Sequence, residues 1–98
     1  MDTSRESAIV HSILKYIKSL PRCYAETTNG NSFKSGQPDV DAVLAGRAVK
    51  LEVKRPGQEA TPLQKRILEK WALAGCVTGV VTSVEDVKTL LKNHGLVR

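Results

Sequence analysis

The sequence predicts an α/β sandwich around a mixed sheet, in the order helix, two to four antiparallel strands, helix, strand, helix. Three observations carry this expectation. Three stretches are bracketed by helix start and stop signals, at Thr3–Pro21, Thr61–Gly75 and Ser83–Gly95. Residues 39–45 and 48–54 alternate side-chain character around Gly46-Arg47, the pattern of a hairpin. A last apolar run, Cys76–Thr82, lies between the second and third helical stretches and reads as a buried strand.

The first helix is expected over residues 4–20, because Ile9, Ile13, Leu14, Ile17 and Leu20 recur at helical spacing and Pro21 closes the segment. Thr3-Ser4-Arg5-Glu6 fits a capping box in which Glu6 reaches back to the Thr3 N–H. Residues 22–28 then read as a strand. Asn29-Gly30 is a turn dipeptide able to fold residues 31–35 back as its partner, and the same segment also reads as a polar loop. Gly36 marks a sharp turn or a close approach of the backbone.

With Gly46 at the first central position of its turn, the hairpin sets Asp41 opposite Glu52, Val43 opposite Lys50, Ala45 opposite Ala48 and Asp39 opposite Lys54. Side chains alternate across a strand, so Val40, Ala42, Leu44, Val49, Leu51 and Val53 share an apolar face while Asp39, Asp41, Glu52 and Lys54 share a charged one. In that register Asp39 and Glu52 are diagonal neighbours, about 7–8 Å apart, and their carboxylates could converge on one ion. A hard cation such as Mg²⁺ favours one or two carboxylates with waters and phosphate oxygens, which this pair offers beside a lysine. The plainer reading is a solvated strand face on which Asp39 or Glu52 pairs with Lys50 or Lys54, worth roughly 0–1 kcal/mol.

Arg55-Pro56-Gly57 ends the second strand, since proline cannot continue the ladder and glycine permits a turn. Thr61 is a good N-cap, Pro62 suits the first helical position, and Leu63, Ile67, Trp71 and Ala74 form an apolar stripe before Gly75. Gln64 completes a second capping box. Lys65, Arg66 and Lys70 lie on the polar side of this helix and read as a solvated face. Ser83 caps the last helix, with Glu85 and Asp86 in its first turn and Asn93-His94-Gly95 at its end. His11 has no neighbour at metal-ligand spacing and reads as an ordinary imidazole.

Ninety-eight residues are expected to form one small domain, 1–98, with a single modest core. Fifteen Lys and Arg against ten Asp and Glu give a net charge of +5, which favours a polyanionic partner such as nucleic acid. Two cysteines, Cys23 and Cys76, are too few for a disulfide framework. Nothing near the N-terminus has the apolar core of a secretory signal, and no run approaches the roughly 20 apolar residues of a membrane span. These features point to a soluble cytoplasmic protein. Phe33, Trp71, Tyr16 and Tyr24 are scattered and form no evident stacking platform for bases, so backbone recognition is the expected mode.

Pro38-Asp39, followed by Glu52-Val53-Lys54 after a hydrophobic hairpin, resembles the signature of the PD-(D/E)XK nucleases. Within that superfamily the sequence is similar to the VRR-NUC (virus-type replication-repair nuclease) family. That family's pattern of a glycine before Pro-Asp, then Glu-x-Lys, then a glutamine opening the next helix looks like Gly36, Pro38-Asp39, Glu52-Val53-Lys54 and Gln64 here, with Glu6 matching an early acid on the first helix. The resemblance implies a restriction-endonuclease-like sandwich and an endodeoxyribonuclease dependent on Mg²⁺ or Mn²⁺. It implies that Asp39 and Glu52 ligate the metal, that the Val53 carbonyl adds a ligand, and that Glu6 contributes directly or through water. Lys54 would orient the attacking water and stabilise charge on the phosphate, with Gln64 orienting water or phosphate. Lys34, Ser35 and Arg55 are the expected contacts to nucleic acid, and Asp41, outside the motif, a supporting residue.

Small stand-alone members of the family are typical of phages and bacteria and look like Holliday-junction resolvases that work as homodimers. The resemblance therefore implies branched DNA as substrate, in a bacterial or phage-infected cell. Two rivals stand beside this reading. One is a catalytically idle fold that binds nucleic acid or recruits a partner through its basic surface, and the other is a nuclease active only within a larger complex. For Glu6 and Gln64, helix capping stands beside the role in the site.

Overall fold

In the computed structural model, which describes residues 3–28 and 36–98, the elements are α1 (Thr3–Lys18), β1 (Cys23–Thr27), β2 (Val40–Leu44), β3 (Arg47–Val53), α2 (Pro62–Leu73), β4 (Val77–Val81) and α3 (Val84–Asn93). The strands form a mixed four-stranded sheet in the order β1-β2-β3-β4, antiparallel except for the parallel pair β3 and β4. Parallel neighbours need a crossover, and α2 supplies it. The α/β sandwich and the element order expected from sequence are both present. The Asn29-Gly30 turn and the partner strand expected at 31–35 lie outside the described residues.

Period-two alternation sorts the strands as expected. Val40, Ala42, Leu44, Val49, Leu51 and Val53 are buried with Val77 and Val81 against Ile13 and Ile17 of α1 and Val87 and Leu91 of α3. Each such aliphatic side chain contributes about 1.5–3 kcal/mol by leaving water. Helix α2 covers the opposite face over β3 and β4, and carries Trp71 onto Lys50 there. It packs shallowly: Leu68 is its buried residue, whereas Leu63 of the expected stripe is 41 % exposed. Among the described residues no helix is long and apolar enough to cross a membrane.

The hairpin register differs from the expected one by two residues. Leu44 pairs with Arg47, so the turn centres on Ala45 and Gly46, not on Gly46 and Arg47. Both central residues have positive φ, +49° and +86°, as a type I′ turn requires. The observed partners are Val40 and Leu51, Asp41 and Lys50, Ala42 and Val49, and Val43 and Ala48. Asp41 therefore faces Lys50 and not Glu52, and Asp39 does not face Lys54. A shift of two residues leaves every side chain on its original face, so the core is the same in either register.

Candidate active site

The register carried one pair beyond Val40 and Leu51 sets Asp39 opposite Glu52. Three backbone anchors fix this end of the sheet. The Thr28 N–H donates to the Asp39 carbonyl at 3.0 Å, the Thr28 hydroxyl donates to the Pro38 carbonyl, and the Lys54 N–H donates to the Val81 carbonyl at 2.9 Å. The Asp39 carboxylate is itself held, because its Oδ2 accepts the Val53 N–H at 2.8 Å. An acid locked to the backbone of the partner strand cannot swing away, so the two carboxylates stay on one rung.

Glu52 is the buried charged residue among those described, 2 % exposed, on a strand flanked on both sides. Its Oε2 lies 3.9 Å from Lys54 Nζ, and its Oε1 has no hydrogen-bond donor among the described residues. Burial is the main force pushing the Glu52 carboxyl up from 4.5 to about 8. The Asp39 carboxylate adds to the rise by accepting a hydrogen bond from the protonated form and by its charge; Glu6 adds a smaller repulsion, and Lys54 opposes it. At neutral pH Glu52 therefore holds a proton.

The chemistry of these donors fits a hard divalent ion. Two carboxylates with an orphaned oxygen match the small number of protein ligands that Mg²⁺ accepts. Among the described residues no group of three or more His, Cys, Asp or Glu is placed to hold a metal. Glu6, in the first turn of α1, reaches Glu52 through its charge but does not complete a three-acid cluster.

Asp39, Glu52 and Lys54 are brought together. The Val53 side chain points into the core while its N–H serves Asp39. Gln64 is at the N-terminus of α2 with its carbonyl oxygen on the Thr61 N–H at 2.9 Å, and the Thr61 hydroxyl accepts the Gln64 N–H at 3.1 Å. The capping role is therefore filled, which leaves its NH₂ for other contacts. Arg55 donates from Nε to Gln58 at 3.3 Å. Lys34 and Ser35 lie outside the described residues, as do the Thr3 and Ser4 side chains of the expected first capping box.

One arrangement beside the site escaped the sequence reading. Lys50 Nζ is 2.7 Å from Asp41 Oδ1 and 4.2 Å from the centroid of the Trp71 ring. Lys50 and Trp71 are joined only by the crossover, and no spacing in the sequence links them.

This architecture is shared with solved structures. One, described as "VRR_NUC domain", is 23 % identical with a TM-score of 0.73, over 92 % of this chain and 97 % of that one. Another, described as "VRR_NUC domain protein", is 19 % identical with a TM-score of 0.71, over 94 % of this chain and 89 % of that one. No protein-family model and no curated protein matches the sequence. The likeness is one of fold, and it spans nearly the whole chain.

Proposed function

We propose, with a VRR_NUC fold as the premise, that this chain is a DNA nuclease acting as one domain, 1–98, with Mg²⁺ or Mn²⁺ held by Asp39 and Glu52. The observation that carries the reading is the buried Glu52 carboxylate, with one oxygen that has no donor among the described residues, on the same rung as Asp39 and beside Lys54. Ionised, such a group is destabilising in a merely structural role, and a bound cation would offset that cost. The Val53 carbonyl and Glu6, directly or through water, complete the ligands. A divalent ion bound there supplies polarisation of the phosphate and a lowered pKa for a water.

The chain's own groups have distinct tasks. Asp39, fixed by the Val53 N–H, presents its carboxylate in one orientation. Lys54 orients the attacking water and offsets charge building on the phosphate, from a side chain only 16 % exposed where water screens it little. The free amide NH₂ of Gln64 donates to phosphate or water. Lys34, Ser35 and Arg55 contact the DNA backbone. The substrate is branched DNA such as a four-way junction, cut symmetrically by an isologous homodimer in the cytoplasm of a bacterial or phage-infected cell.

The test is incubation with labelled four-way junction, flap and plain duplex in Mg²⁺, Mn²⁺ or EDTA, for wild type and Lys54→Ala. Metal-dependent incision that favours branched DNA and is lost in the variant is expected. Equal cutting by Lys54→Ala overturns the mechanism. A light-scattering mass of a monomer at high concentration overturns the homodimer.

A further inference from the structure

The face that carries Asp39 and Glu52 carries a second acid–base rung next to it. In the observed register Asp41 faces Lys50, two residues along each strand from Asp39 and Glu52, about 7 Å away. The two rungs differ in how their charge is answered. Asp41 is matched by Lys50 at 2.7 Å, and the Lys50 side chain, 13 % exposed, is roofed by the Trp71 indole of α2. Glu52, by contrast, has Lys54 at 3.9 Å from one oxygen, and its other oxygen has no donor among the described residues.

A surface ion pair alone is weak, but this one is held on two sides. The carboxylate fixes the ammonium at one end, and the face of the indole attracts it from another direction. A lysine held this way keeps Asp41, the acid next to the Asp39–Glu52 rung, engaged. Asp39, Asp41 and Glu52 lie on adjacent rungs of one face, and among the described residues no group of three such acids is placed to hold a metal.

We propose that Lys50 is a positioning residue that sets the charge of the metal site: by pairing with Asp41 while its ammonium lies over Trp71 it limits the site to the carboxylates of Asp39 and Glu52 and thereby tunes its affinity and selectivity for divalent ions. The proposal rests on the nuclease reading of Asp39 and Glu52. A single unmatched charge at about 7 Å from a divalent ion changes its affinity by about tenfold or more at the effective dielectric of a protein surface. Removing Lys50 leaves Asp41 as extra negative charge beside the ion. Removing the charge of Asp41 leaves Lys50 as extra positive charge. The two substitutions thus act with opposite sign. Calcium, which takes more carboxylate ligands than magnesium, gains most from a freed Asp41.

The experiment is calorimetric titration of the full chain with Mn²⁺, and with Mg²⁺ and Ca²⁺ in parallel, with thermal melts to establish that each variant is folded. Lys50→Met removes the charge and keeps an unbranched stem for Trp71. It is expected to bind Mn²⁺ about tenfold more tightly and to raise the ratio of Ca²⁺ to Mg²⁺ affinity. Asp41→Asn is expected to bind about tenfold more weakly, and the double variant and Lys50→Arg to return to the wild-type value. A purely structural role would weaken binding in both single variants. Weakening in both, or no change in either, overturns the proposal while leaving the nuclease reading intact, provided wild-type binding is lost in Glu52→Gln. A wild-type isotherm as flat as that of Glu52→Gln overturns the nuclease reading and this inference with it.

Discussion

Replacing Glu52 by glutamine should stabilise the metal-free protein, and the gain should depend on pH in a way set by the site. Burial and the neighbouring Asp39 raise the Glu52 carboxyl to about 8 from an ordinary 4.5. Between these values the folded chain binds more protons at this position than the unfolded chain does. Stability from this group is therefore full below the ordinary carboxylate range and is lost as pH rises towards 8. A shift of this size, at about 1.4 kcal/mol per unit, amounts to a loss of roughly 5 kcal/mol, a large fraction of the 5–15 kcal/mol typical of a small domain. Glutamine mimics the protonated acid, since it is neutral and can donate to Asp39. Urea denaturation in EDTA, repeated from about pH 5 to pH 9, should show wild type and Glu52→Gln converging at the acid end. The variant should be more stable by several kcal/mol at the alkaline end. Adding Mg²⁺ or Mn²⁺ should rescue wild type most at high pH, where no proton competes, and leave the variant unmoved. A difference between the two proteins that is constant across the range would refute the argument, because a constant offset is packing and not ionisation.

Asp39→Asn should keep the hydrogen bond to the Val53 N–H and lose divalent-ion binding. Asp39→Ala also orphans that N–H and should lower stability by a further 1–3 kcal/mol or so in denaturant titrations. Gly36→Ala should lower stability by about 2–4 kcal/mol, since Gly36 has φ +82° and an added Cβ would meet Ile67 Cδ1 at 2.7 Å and Leu63 Cγ at 2.9 Å; a melting curve unchanged from wild type would contradict this. Gln64→Ala should cost about 1 kcal/mol through the capping box, and single-turnover cleavage of DNA separates its two roles: a slower rate constant beyond the stability loss identifies a contact from its NH₂ group.

The outline of the fold was legible because its punctuation is local. Thr61-Pro62 and Ser83 start α2 and α3 where capping chemistry requires, and Gly75 follows the end of α2. The strand faces were legible because period two is local as well. What local pattern could not decide was the register of the hairpin. Gly46 in the first central position of the turn is the sequence's natural offer, yet the chain places Ala45 there at φ +49°. The two alternatives differ by an even number of residues, so alternation is blind to the choice. The consequence falls on the site and not on the core. In the expected register Asp41 would oppose Glu52, whereas the observed one moves Lys50 onto Asp41 and brings Asp39 level with Glu52. The burial of Glu52 was equally invisible, because it depends on strands and a crossover helix brought together from distant segments.

The acids of this sheet face also show why counting charges did not separate a metal site from a solvated surface. Glu26 accepts the Tyr24 hydroxyl at 3.1 Å, Asp41 has Lys50 at 2.7 Å, and Asp39 has the Val53 N–H at 2.8 Å. Glu52 is the most buried of them and retains an oxygen that nothing among the described residues answers. Structural acids are compensated in proportion to their burial, since an unpaired buried charge is among the costliest features a fold can carry. Among the described residues the order is not kept: the exposed Glu26 has its donor, whereas the buried Glu52 has Lys54 at 3.9 Å from one oxygen and nothing on the other. On the proposed reading, a cation that arrives with substrate would restore the missing partner, and the imbalance would itself be a source of affinity. On the same proposal the Asp41–Lys50 rung keeps the next carboxylate answered, which would hold the number of acids open to the ion fixed.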